Sequence, residues 1–171
     1  MSFEQLLGRL SSEAARTVAC HWEDARGSRR IPAWSDIKPG SIVRQLPFIW
    51  SWKYDVAKDE FIGRLAGDRI TQALGGNLRG QNAEIFFKDR GGEEILSRSR
   101  RVVLEPCYFY GEGAVFKHTG RIVIGERIAL PLSEDGETAD GILGVTIFED
   151  PKLTEEIEDY PTSETGEFIS L

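Results

Sequence analysis

Residues 61–87 read FIGRLAGDRITQALGGNLRGQNAEIFF. The stretch starts as a strand and stops at Gly67. A short helix follows and ends at Gly75-Gly76, and a second short helix runs toward Phe86 and Phe87. Glycine ends helices readily because it adopts a left-handed backbone without a Cβ clash. Short helices punctuated in this way can arch over a sheet and leave a cavity beneath them. The glycines around Asn77 and Arg79 invite a phosphate-loop reading. That loop needs Lys-Ser or Lys-Thr after its last glycine, and Gln81-Asn82 stands there instead.

Upstream, residues 48–54 alternate, with Phe48, Trp50, Trp52 and Tyr54 on one face and Ile49, Ser51 and Lys53 on the other. A polar turn over 55–59 leads into the return strand, so the spacing predicts an antiparallel hairpin. Ahead of it, Pro39 suits the first turn of a short helix, and Pro47 stops that helix. Downstream, Glu93-Glu94 suit a helix start, and Ile95, Leu96, Val102 and Val103 form its apolar side up to Pro106. Arg98, Arg100 and Arg101 fall mainly elsewhere and read as a solvated face. Strands are predicted over 107–117, 121–132 and 141–149, separated by turns at 118–120 and 133–136.

At the N-terminus, Phe3, Leu6, Leu7 and Leu10 follow helical spacing. A second stripe of Ala15, Val18, Trp22 and Ala25 continues to Gly27. Either the first face covers the core, or it packs against a second subunit as a homodimer surface. This segment lacks a basic region followed by a continuous apolar run, so no secretory signal is expected. No apolar run approaches the ~20 residues that span a bilayer.

The 171 residues suffice for one domain with a real core, and 40% hydrophobic with 29% charged residues fit a globular protein. The net charge of −7 is concentrated at one end: residues 150–171 hold seven acids and one lysine. The rest carries 21 acids against 20 bases, so phosphate neutralisation across a nucleic acid is not expected. The expected organisation is an N-terminal helical extension over 1–20, a domain over 21–149, and an acidic, flexible tail over 150–171. Cys20 and Cys107 lie far apart and read as reduced thiols of a cytoplasmic protein.

The element order, together with several short motifs, resembles the stand-alone PAS-like family of alphaproteobacteria. The matching pieces are His21-Trp22, Arg30-Ile31-Pro32, Asp36-Ile37 with Pro39, and Leu46-Pro47. After them come Phe61 with Arg64-Leu65-Ala66-Gly67, Gly76 with Leu78 and Gly80, and Leu130-Pro131-Leu132-Ser133 with Asp135-Gly136. The resemblance implies an α+β fold: a five-stranded antiparallel sheet with short helices and one longer helix on one face, plus the N-terminal helix. It also implies a sensory or regulatory role, and it hands over no catalytic residues.

Within that resemblance, haem is disfavoured because residues 81–106 contain no histidine; only His21 and His118 occur in the chain. Covalent flavin is disfavoured because residues 76–82 hold no cysteine. His21 and Asp24 are helical neighbours without a third metal ligand. No nucleophile stands with a base, so no enzyme is expected. The pocket candidates are Trp50 and Trp52 on the aromatic strand, with Phe86 on the helix side and Tyr108 on the far strand. The expected function is a cytoplasmic sensor that binds a small apolar or amphipathic ligand and signals to a separate partner protein. The alternative is a ligand-free interaction adaptor.

Overall fold

A computed structural model describes residues 2–88, 92–118, 121–150, 152–153 and 163–171. Two helices open the chain, α1 (Ser2–Arg9) and α2 (Glu13–Arg26), followed by three short 3-10 turns. The hairpin β1 (Ile49–Asp55) and β2 (Glu60–Ala66) comes next. Helices α3 (Asp68–Leu74), α4 (Ala83–Phe87) and α5 (Glu93–Leu104) then cross to β3 (Cys107–His118), β4 (Arg121–Leu132) and β5 (Gly141–Phe148). The chain closes with the two-residue β6 (Lys152–Leu153) and with β7 (Glu164–Ser170).

Local chemistry sets these boundaries. Ser12 caps α2, its Oγ accepting from the Ala15 N–H at 3.2 Å. Asn82 caps α4 by accepting from the Glu84 and Ile85 amides at 2.9 and 3.2 Å. Gly75 ends α3 at φ 68°, the left-handed conformation its lack of a side chain allows. Gly63 answers a different demand. A Cβ there would lie 1.9 Å from the Leu78 carbonyl oxygen, because the loop before α4 docks directly on β2. The Gly63 N–H donates to Gln81 O and the Gly80 N–H to Gly63 O, at 2.9 and 2.8 Å.

The sheet is antiparallel throughout, in the order β2-β1-β5-β4-β3-β7, with β6 beside β4. The five expected strands are present and two more join them. The expected flexible tail is therefore corrected over Glu164–Ser170. This segment pairs with β3 from Cys107↔Ser170 to Gly113↔Glu164. Phe168 packs its ring on Phe109, 5.2 Å between centroids, and lies under Arg101 at 4.1 Å. Residues 151 and 154–162 of that expected tail lie outside the described residues.

Both faces of the sheet are covered. Helix α5 lies across β3, β4 and β5 on one face, with α4 beside it on β2 and α3 against the 3-10 turn that precedes β1. The N-terminal helices take the opposite face, α2 on β4 and β5 and α1 against β3 and β7. Trp22 anchors them: its indole N–H donates to Pro131 O at 2.7 Å and its ring meets Tyr108 edge-on at 5.3 Å. The apolar face of α1 is consequently used inside the chain. Leu6 is 0% and Leu10 2% exposed, and Phe3 and Leu7 pack against the same core. Each buried leucine contributes about 1.5–3 kcal/mol of stability. Of the leucines expected on a homodimer surface, Leu6 and Leu10 are thus buried within the chain and Leu7 is half-buried. Glu126 on β4 completes the junction. Its carboxylate accepts from the Ser11 N–H and Oγ at 2.8 and 3.0 Å and from the Ser12 N–H at 3.0 Å.

Candidate functional site

Between the sheet and α3–α5 lies a cavity of ≈ 20 Å³, about room for one water molecule. Its floor is Trp50 and Trp52 of β1, Phe116 of β3 and Arg127 of β4. Ile70 and Leu74 of α3, Leu78, Phe87 of α4 and Ile95 of α5 form the roof. The 61–87 stretch thus supplies most of the roof, as its glycine punctuation predicts.

Of the four pocket candidates, Trp50 and Trp52 line the cavity. Phe86 is buried one residue away, its ring edge-on to Phe87 at 5.1 Å, and Phe87 is the residue on the wall. Tyr108 is on the opposite face of the sheet, between Trp22 and Phe3, and burial pushes its phenol up to about 12. The strand-mate that reaches the cavity is Phe116. A bulge between Ala114 and Phe116 inserts one residue and exchanges the faces of β3 beyond it. Phe48 and Tyr54, expected on the same aromatic wall, are engaged elsewhere. Phe48 meets Phe148 at 5.5 Å, and the Tyr54 hydroxyl donates to Asp59 at 2.7 Å.

Sequence reasoning missed the charged part of the site. Arg127 has a side chain only 4% exposed. Its Nε donates to Thr146 Oγ1 at 3.2 Å, one Nη to Val115 O at 2.6 Å, and the other to Glu164 Oε2 at 2.9 Å. The guanidinium lies 5.1 Å above the Phe116 ring. Burial pulls its pKa down and Glu164 pushes it back up, and the group remains a cation. Glu164 Oε2 also accepts from Arg98 at 2.7 Å, while Arg98 reaches Glu94 and lies 5.0 Å from the Phe109 ring. Arg98 therefore belongs to a largely buried Arg-Glu-Arg cluster rather than to a solvated face. Arg100, expected on the same solvated face, is paired with Asp59 and Glu84. Such clusters lose several kcal/mol when one member is removed, because an unpaired buried charge is left behind.

Two polar atoms of this region lack partners among the described residues: Trp52 Nε1 and Glu164 Oε1. Trp50 is satisfied, donating to the same Thr146 hydroxyl at 2.9 Å. One signal could have exposed Arg127 in the sequence: a charge within the apolar run of β4, followed directly by Ile128, Ala129 and Leu130.

The remaining candidates are dispersed. Cys107 is buried and its thiol is pushed up to about 11 by desolvation, so it resists ionisation, whereas Cys20 is exposed. His21 accepts the Lys38 N–H on Nε2 at 2.8 Å, and burial lowers its pKa. The His118 side chain is outside the described residues. Among the described residues no three His, Cys, Asp or Glu side chains gather as a metal site.

The model of the PAS domain family matches residues 10–147. The chain belongs to the PAS domain family. No curated protein and no solved structure matches it. The PAS match begins at the α1–α2 junction and ends in β5, so Arg98 and Arg127 fall inside it. Helix α1 and strand β7 fall outside, and with them Glu164. Beyond the PAS span these two elements meet each other, Arg9 pairing with Glu167 at 2.9 Å. No helix among the described residues of this PAS protein is long and apolar enough to cross a membrane.

Proposed function

We propose that this PAS protein is a cytoplasmic, non-catalytic regulatory module. In this reading a small apolar or amphipathic molecule enters between the sheet and α3–α5, and a separate partner protein reads the change by association. The observation that carries the reading is the cavity itself, walled by two tryptophans, one of which, Trp52, has a buried indole N–H without an acceptor among the described residues. A well-packed core seldom leaves a buried donor unpaired, and pockets that receive ligands combine apolar walls with a few polar groups. At ≈ 20 Å³ the cavity must widen to accept more than water.

The same small volume favours a second reading, a ligand-free adaptor that uses the fold as a docking surface. Native mass spectrometry of the purified protein separates the two. A mass excess released on denaturation supports the sensor. A bare mass, together with tryptophan fluorescence unmoved by a panel of apolar acids, amines and neutral compounds, overturns it and leaves the adaptor.

A further inference from the structure

The cavity wall is chemically one-sided. Among the residues that line it, every polar side-chain atom is a donor: the indole N–H groups of Trp50 and Trp52 and the Arg127 guanidinium. The Trp50 donor is used, and the Trp52 donor has no partner among the described residues. A wall of donors around a fixed positive charge suits a ligand made of acceptors, and a carboxylate fits best because arginine can grip it with two parallel bonds.

Within the chain a carboxylate already fills this role. Glu164 reaches Arg127 from β7, outside the matched PAS span, and it does so incompletely. One oxygen serves both Arg127 and Arg98, and the other is buried without a partner among the described residues. Three Arg127 donors have partners at Thr146, Val115 and Glu164, out of the five that a guanidinium carries.

Building on the reading above, we propose that the cavity is a subsite for a small carboxylic acid with an apolar body. The acid's carboxylate takes Arg127 and the free Trp52 N–H, displaces Glu164, and loosens the Glu164 end of β7 from β3. Ligand chemistry is thereby converted into movement of the edge strand. Among the described residues the Glu164 end keeps only long side-chain bonds, Arg98 to Glu164 O and Thr165 Oγ1 to Glu112 O, each at 3.3 Å, whereas Phe168 over Phe109 and Glu167 with Arg9 anchor the other end. Release is therefore local, over residues 164–166.

The test uses hexanoate and phenylacetate against their neutral amides, with nitrogen-detected NMR titrations and amide hydrogen exchange on the full chain. The acids bind more tightly than the amides by about tenfold, the scale of one charge-assisted hydrogen bond. They shift the Trp52 indole N–H signal and reduce protection of amides 164–166. Arg127→Met loses the preference for acid over amide. Glu164→Gln, which keeps the shape of the side chain but removes the competing charge, binds the acids several-fold more tightly, by roughly 1 kcal/mol or more. This second variant decides the matter should Arg127→Met fail to fold.

Equal binding of acid and amide overturns the charge-exchange proposal while leaving the sensor reading intact. So does acid binding with unchanged exchange at 164–166, or no tightening in Glu164→Gln. If neither acid nor amide binds, the proposal fails, and the native mass spectrum separately decides the sensor reading.

Discussion

Removing the Glu126 carboxylate tests how the N-terminal helices are held to the sheet. Three donors converge on it, from the Ser11 amide and hydroxyl and the Ser12 amide. A hydrogen bond to a charged acceptor contributes about 1.5–3 kcal/mol, and an orphaned buried donor costs about 1–3 kcal/mol. Ser11 is exposed, so water recovers part of the loss on that side, whereas Glu126 itself is 6% exposed. Glu126→Ala should therefore cost about 2–4 kcal/mol in total. With a urea slope of about 2 kcal/mol per molar, the midpoint moves down by about 1–2 M. Glu126→Gln keeps one oxygen acceptor and turns an N–H toward the facing donors, so it should fall between wild type and the alanine variant. Urea melts followed by circular dichroism measure all three proteins. An alanine variant within about 0.25 M of wild type refutes the reasoning, because that shift is smaller than one such hydrogen bond.

Leu10→Ala should cost about 2–5 kcal/mol in the same melts, the usual range for emptying a buried leucine site. Light scattering should give an unchanged mass; a lower mass at an unchanged midpoint would mean the face serves a second subunit. Gly63→Ala drives a methyl into the Leu78 carbonyl and should cost at least about 1–3 kcal/mol; an unaltered melting temperature counts against the docking of that loop on β2. For His21, burial depresses the folded pKa below its ordinary value of 6.5, with Asp24 opposing and Lys38 adding. The unfolded chain then binds the proton more readily, so the contribution is complete above 6.5 and declines as pH falls below it toward the folded value. Urea midpoints between pH 8 and 5 should show this slope in wild type and lose it in His21→Gln. An identical slope in both proteins excludes His21 as its source.

The order of elements was legible because each declares a period. Alternation marks β1, the apolar stripe of Ile95, Leu96, Val102 and Val103 marks α5, and prolines and glycines mark the breaks. Faces were harder than elements. Tyr108 was expected to line the cavity, but it belongs to the other side of β3, and the bulge near Ala114 brings Phe116 in instead. A bulge leaves no composition signal, and one inserted residue reverses every side chain after it. Strand β7 was hidden because Glu164, Thr165, Gly166 and Glu167 look like solvated tail. Its acid is stabilised by arginines 37 and 66 residues earlier, a distance no local pattern spans. The double covering of the sheet was also out of reach, since an amphipathic helix does not state which face it will meet.

The pairing of β1 with β5 has a kinetic consequence. Ile49 sits opposite Val145, so this single contact closes a loop of 96 residues and is entropically slow to form. The meander from β3 to β5 and the hairpin of β1 with β2 each join through short connections and can assemble separately. Everything that roofs the cavity is strung between those two pieces, so the cavity comes into being only when they dock. Trp50 and Trp52 become enclosed at that moment. In stopped-flow refolding, indole fluorescence should follow the slowest main phase while circular dichroism gains amplitude earlier; fluorescence complete in the first phase would reverse the order. The two indoles that wall the cavity thus serve as the clock of its closing.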